Sequence, residues 1–282
     1  MTASTHERAE PGGLPTAFFV GDFNTGKSAL INALLHREAV PTSREESRAL
    51  PTFLGRSARK EAYFAALTGD GAVEAKTQEE FFAIRQPLEG ETPYRALAAH
   101  YPTPPFRALQ LADTGGISGE AHHDARALAV DSPERALLVV VTDIEYWASK
   151  HNMALISRNV PAFGANLVVV ANKADHLNAA DIRKVADKAA KRMEQCGIDP
   201  VPRFFAVSAR LEAARRDPFN EYRARTKREV RELCDAGFDA LRVALYEFEA
   251  AHGAGETTPD LEQVLCAPQA ASFIATQEGM DA

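Results

Sequence analysis

The chain has 282 residues, 45% of them apolar and 25% charged, with a formal charge of -7. That is the make-up of an ordinary soluble globular protein, long enough for one large α/β domain with a modest appendage. The acidic balance argues against direct, non-specific binding of nucleic acid or anionic lipid. The three cysteines, Cys196, Cys234 and Cys266, fit no metal-ligand spacing and read as reduced thiols. No signal peptide is evident and no apolar run reaches transmembrane length, so the expectation is a cytoplasmic protein that meets a membrane only through a partner.

Taken in chain order, residues 1–14 read as a disordered N-terminus, 15–252 as one α/β domain and 253–282 as a C-terminal tail. Thr16–Val20 is a short apolar strand. Helical spacing follows in Ala29–Leu35 and stops near His36-Arg37. A polar loop over 39–51 is bounded by Pro41 and Pro51. Phe53–Ser57, Ala62–Leu67 and Ala72–Ala75 read as strands, the last two joined by Thr68-Gly69-Asp70-Gly71, a hairpin signal. Thr77-Gln78-Glu79-Glu80 is a capping box opening a helix to about Arg85. Tyr101–Pro105 is a proline-rich approach to a strand at Ala108–Ala112. Ala136–Thr142, Asn166–Ala171 and Phe204–Val207 are the continuous apolar runs of strands buried on both faces. Tyr222–Glu232 reads as a solvated helix. Apart from the hairpin, strand alternates with helix, which predicts a mostly parallel, doubly wound sheet with an antiparallel hairpin strand and a helical C-terminal end.

The chemistry concentrates in four motifs. Gly21-Asp22-Phe23-Asn24-Thr25-Gly26-Lys27-Ser28 fits G-x-x-x-x-G-K-[ST] between a strand and a helix start, the context a phosphate-binding loop requires. Its backbone N–H groups, through Ala29, are expected to face phosphate oxygens, with Lys27 neutralising the outer phosphates and Ser28 ligating Mg²⁺. Asp113-Thr114-Gly115-Gly116 fits D-x-x-G: Asp113 holds Mg²⁺ through a water and the Gly116 N–H senses the γ-phosphate. Asn172-Lys173-Ala174-Asp175 follows a strand and fits N-K-x-D. The Asp175 carboxylate suits the paired donors of guanine, which adenine lacks; Asn172 braces the loop and the Lys173 stem covers the base. Ser208-Ala209 resembles the element whose N–H meets the guanine oxygen, with Arg210 in place of its lysine. A switch threonine must complete the metal site. Thr52, just ahead of a strand, is preferred, with Thr42 as runner-up.

These motifs, in this order, resemble a translation-factor-type GTPase domain. G-D-F-N-T-G-K-S followed by Ala29–Leu35, the run Ala39-Val40-Pro41-Thr42…Pro51-Thr52, and Tyr101–Leu109 are similar to the dynamin-like branch, especially its bacterial members. The likeness covers roughly residues 15–250. It implies a P-loop GTPase that binds GTP or GDP with Mg²⁺ and hydrolyses GTP as a nucleotide-controlled switch. The alternative is a GTP-binding scaffold with negligible turnover. The branch also suggests a homodimer across the nucleotide face and an effector protein that the sequence does not identify. Ile117 follows D-x-x-G where efficient enzymes keep glutamine, and Phe23 fills the loop position used for glutamine elsewhere in the branch. Hydrolysis by an isolated monomer is therefore expected to be slow. Asn24 corresponds to the K⁺ ligand of potassium-activated relatives; bracing of the loop is the other reading. Arg44, Arg48, Arg56 and Arg59 lie in or near the first switch as candidate arginine fingers. His122-His123-Asp124 reads as polar loop.

Overall fold

The computed structural model describes residues 14–42, 50–85, 92–114, 130, 132–253 and 261–280. Nine strands form one sheet: β1 (Thr16–Val20), β2 (Thr52–Arg56), β3 (Tyr63–Thr68), β4 (Val73–Lys76), β5 (Tyr94–Tyr101), β6 (Gln110–Asp113), β7 (Ala136–Asp143), β8 (Leu167–Asn172) and β9 (Arg203–Ala206), in spatial order β4-β3-β5-β2-β6-β1-β7-β8-β9. The helices are α1 (Lys27–Leu35), α2 (Gln78–Arg85), α3 (Lys150–Phe163), α4 (Ala179–Gln195), α5 (Ala209–Ala213), α6 (Glu221–Arg225), α7 (Arg228–His252), α8 (Leu261–Leu265) and α9 (Pro268–Met280).

From β6 to β9 the sheet is parallel, as continuous valine-rich strands buried on both faces require. The other half is a wing in which β2 pairs antiparallel with β6, β5 lies parallel to β2, and β3 is antiparallel to both β5 and β4. The expected β3–β4 hairpin is present, closed by Thr68 N–H donating to the Ala72 carbonyl at 2.9 Å. The wing extends well beyond that one hairpin because β5 inserts between β2 and β3. The capping box at α2 also forms: Glu80 N–H donates to Thr77 Oγ1 at 3.2 Å, and Thr77 N–H donates to the Glu80 carboxylate at 2.7 Å.

Two apolar layers sandwich the sheet. One packs Phe19, Leu54 and Val139 against Leu30, Ile31 and Leu34 of α1, Phe81 of α2, and Phe238, Leu241 and Leu245 of α7. The other packs Phe18, Phe53 and Val140 against α3, α4, α8 and α9. Phe273 of α9 lies 4.6 Å from Phe18 and 6.5 Å from Phe53, centroid to centroid, and is fully buried. Residues 261–280 thus supply core side chains to the sheet face that lies under the first strand. Full burial of one such phenylalanine is worth about 1.5–3 kcal/mol.

Alignment of the parallel strands brings their carboxyl ends to one edge. Val20, Asp113, Asp143, Asn172 and Ala206 end β1, β6, β7, β8 and β9 there. This is where an open α/β sheet binds ligands.

Candidate functional site

The loop after β1 is shaped by its glycines. Gly21 has φ 147° and a Cβ there would lie 2.0 Å from the Val141 carbonyl oxygen; Gly26 has φ 86° and a Cβ would lie 2.5 Å from Asn172 Nδ2. Only glycine fits either position, so the loop is pressed onto β7 and onto Asn172 of the N-K-x-D motif. Thr25 Oγ1 donates to the Asp22 carbonyl at 2.9 Å. Asn24 is exposed at φ 58°, and Asp22 faces His151 Nε2 at 2.9 Å. Phe23 is half-buried, and Ser28 and Ala29 open α1 behind Lys27.

Lys27 Nζ donates to the carbonyls of Gly21 and Asp22, both at 2.9 Å. Burial lowers its pKa to about 8, against the opposing pull of Asp113 and Asp22. A buried ammonium held only by carbonyls gains most from an anion placed in the same loop.

At the end of β6, Ser28 Oγ donates to Asp113 Oδ2 at 2.7 Å. Asp113 is fully buried, and its Oδ1 has no hydrogen-bond partner among the described residues. Thr52 is paired directly across from Asp113 in the β2–β6 ladder, also fully buried, with Oγ1 donating to the Leu50 carbonyl at 2.9 Å. Among the described residues no group of three or more His, Cys, Asp or Glu gathers, so an ion here depends on one carboxylate, hydroxyls and the nucleotide's phosphates. The orphaned Oδ1 beside the Ser28 hydroxyl fits Mg²⁺. Thr42, the alternative switch residue, is exposed beyond Asn32, whose amide ties down Ala39 and Val40 at 2.7–3.0 Å.

The N-K-x-D motif closes the other side. Asn172 Nδ2 donates to the Thr25 carbonyl at 2.9 Å while its Oδ1 accepts from Ala209 N–H at 3.0 Å. The Ala209 N–H is therefore committed within the chain, and Ser208 Oγ caps α5 by accepting from Leu211 N–H at 3.1 Å. Lys173, in the left-handed region at φ 61°, pairs with Asp143 at 2.9 Å. Asp175 is half-buried at the edge and accepts from the Tyr222 hydroxyl, and the Arg210 guanidinium stacks 3.4 Å over the Tyr222 ring.

Two residues at the site escape sequence reading. Tyr222 lies on the segment expected to be a solvated helix. Arg85, at the end of α2, is fully buried and donates to Thr52 Oγ1 at 2.7 Å, to the Leu50 carbonyl and to Asp113. Its only warning in the sequence is a cation closing a helix that begins with a clear cap. Of the arginines considered as fingers, Arg56 and Arg59 are exposed, with Arg59 stacked 4.0 Å over Tyr63. Arg44, Arg48, Gly116, Ile117 and His122–Asp124 lie outside the described residues.

Fold and site together define a phosphate-loop GTPase domain. A family model described as the dynamin family matches residues 18–174, and the chain belongs to that family. It is similar to "Dynamin-like protein 2" of Campylobacter jejuni, at 26% identity over 171 residues, which cover 60% of this chain and 27% of that protein. Its fold is similar to solved structures of an oligomerised bacterial dynamin pair described for long-range sensing and tethering of membranes, with TM-score 0.51 and 17% identity over 84% of this chain and 36% of the other. The chain thus spans about a third or less of the length of these relatives.

Proposed function

We propose that this chain binds GTP with Mg²⁺ and hydrolyses it to GDP, using the nucleotide state as a switch whose turnover depends on assembly, K⁺ or a partner. The observation that carries the reading is the joining of the two halves of the site by Asn172. One side chain holds both the phosphate loop at Thr25 and the guanine-side element at Ala209, so phosphate and base are read by one braced unit. Lys27 would exchange its two loop carbonyls for the outer phosphates, Ser28, Asp113 and Thr52 would hold the ion, and Asp175 would accept from the base. Mg²⁺, when bound, would supply charge neutralisation at the phosphates.

The chain offers no glutamine to orient the attacking water at either expected position, Ile117 or Phe23. Supplied charge, from K⁺ at Asn24 or from an arginine of a second copy, is worth about 10³–10⁵ in rate, so a lone monomer is a poor enzyme. The similarity to an oligomerised bacterial dynamin pair supports assembly as the source. Among the described residues no helix is long and apolar enough to cross a membrane.

Steady-state GTP hydrolysis, measured in K⁺ and in Na⁺ over a range of protein concentration, tests this. Specific activity is expected to rise with K⁺, with protein concentration or with both. Tight GTP binding with background turnover throughout would leave a GTP-binding scaffold. Fast hydrolysis by dilute protein in Na⁺ would reject dependence on assembly.

A further inference from the structure

The group that touches the candidate metal ligands is a cation of the chain itself. Arg85 spans Thr52 Oγ1, the Leu50 carbonyl and the Asp113 carboxylate with one guanidinium, and its side chain is only 2% exposed. Thr52 and Asp113 are two of the three residues read as Mg²⁺ ligands; the third, Ser28, bonds the same Asp113 oxygen. Lys27 feels both the Asp113 carboxylate and the Arg85 guanidinium, so a second cation already lies near that carboxylate. A divalent ion added beside them in a site closed to water is repelled at a few ångströms, where Coulomb interactions are only weakly screened.

Thr52 Oγ1 carries the sharpest constraint. Its proton goes to Leu50 and one of its two lone pairs accepts from Arg85. An ion at that oxygen has only the other lone pair and sits against the guanidinium's charge. The fork geometry of arginine suits this bridge, since it reaches a hydroxyl, a carbonyl and a carboxylate at once.

We infer that Arg85 is a tethered counter-cation of the metal site: it holds Thr52 Oγ1 and one oxygen of Asp113, and Mg²⁺ must bind against its charge, beside the Asp113 Oδ1 that Arg85 leaves free. The inference rests on the Mg²⁺–nucleotide reading of the site and adds a positioning role for a residue outside its motifs.

The test measures coupling between metal and nucleotide on the full chain. The affinity of a fluorescent GDP analogue is determined with saturating Mg²⁺ and with excess chelator, and the ratio gives the coupling. In Arg85→Gln, which keeps polar donors but removes the charge, the ratio is expected to rise about tenfold or more. Arg85→Lys, charged but too compact to bridge all three groups, is expected to raise it less. An unchanged ratio in a folded Arg85→Gln chain overturns the inference. A reduced ratio also overturns it, and assigns Arg85 as a brace that presents Asp113 to the metal. If neither variant folds, the wild-type chain decides. Its buried Arg85 side-chain N–H resonances must shift or broaden when Mg²⁺ is added to the GDP complex, and signals indifferent to Mg²⁺ overturn the competition. Failure of every chain, wild type included, to bind GDP overturns the nucleotide reading together with this inference, whereas GDP binding with unmoved coupling overturns this inference alone.

Discussion

Asn172 donates to the carbonyl of Thr25 at 2.9 Å across 147 residues of chain, and that bond fixes the phosphate loop to the end of β8. The same amide accepts from Ala209 N–H, so a single buried side chain sets the distance between the two ends of the candidate site. Gly26 is the complement of this contact, because any Cβ there would strike the amide nitrogen.

Asn172→Ala is therefore expected to cost stability as well as binding. It strands one buried carbonyl and one buried N–H, each worth about 1–3 kcal/mol when left unmet. A loss of about 2–4 kcal/mol in urea unfolding is expected, with GDP binding weakened in parallel. Asn172→Asp keeps the acceptor for Ala209 and loses the donor to Thr25, so it should fall between. A variant with full stability and unaltered GDP affinity would show that the bridge carries neither function.

Phe273→Ala examines the C-terminal helices. The ring lies between Phe18 and Phe53 on the sheet face under β1 and β2. Its truncation leaves a cavity against strands that position the phosphate loop, with an expected cost of about 3–5 kcal/mol. A loss below about 1 kcal/mol in reversible unfolding would show that α9 is a detachable appendage.

Most of the site is legible in the sequence because its parts are local. A strand, a glycine loop and a helix start lie within a dozen residues, and N-K-x-D and V-S-A each end a strand. What escapes is non-local. β5 is built from Tyr-Arg-Ala-Leu-Ala-Ala-His-Tyr, whose alanines are poor strand formers; it is a strand because it is enclosed between β2 and β3. His100 within it packs beside Gly55 of β2, where a Cβ would lie 3.0 Å from the ring nitrogen. Arg85 and Tyr222 reach the site from elements with no motif of their own, so only tertiary packing places them there. The likeness to the bacterial dynamin-like branch, read from G-D-F-N-T-G-K-S and the segments after it, agrees with the family match over residues 18–174.

A pH dependence follows from Cys234, buried in α7. Burial, with the Asp175 and Asp235 carboxylates adding to it, pushes its thiol from 9.0 up to about 12. The unfolded chain loses this proton near its ordinary value, whereas the folded chain retains it. Between those values the folded state holds more protons, so stability falls as pH rises; the contribution is fully present below the unfolded value. The wild-type advantage over Cys234→Ala should be level up to about pH 9 and shrink above it, measured by urea unfolding. An advantage constant to higher pH would mean the thiol titrates normally. At neutral pH a thiol reagent should modify exposed Cys266 first and spare Cys234.

The base side yields a test of opposite sign to an ordinary loss-of-contact mutation. Tyr222 gives its hydroxyl proton to Asp175, the carboxylate read as the acceptor for guanine, and the contact is secured by Arg210 stacked over the ring. Asp175 joins the causes that raise the Tyr222 pKa to about 12, after burial. Guanine's N1–H and exocyclic amine must compete for the same oxygens, and the base has to break the tyrosine bond to be read. Removal of one hydroxyl that must be displaced is expected to return about 1 kcal/mol, so Tyr222→Phe should tighten GDP about three- to tenfold. The ring and its stacking on Arg210 survive the change, which isolates the hydroxyl. Asp175→Asn, by contrast, should weaken GTP and favour xanthosine triphosphate, since an amide donates where xanthine offers an acceptor. Competition binding of GDP, xanthosine diphosphate and ADP to the three chains reads both effects. Weaker GDP binding in Tyr222→Phe would show that the hydroxyl supports the base complex by orienting Asp175, and equal loss of ADP and GDP in Asp175→Asn would show that this carboxylate does not read the base.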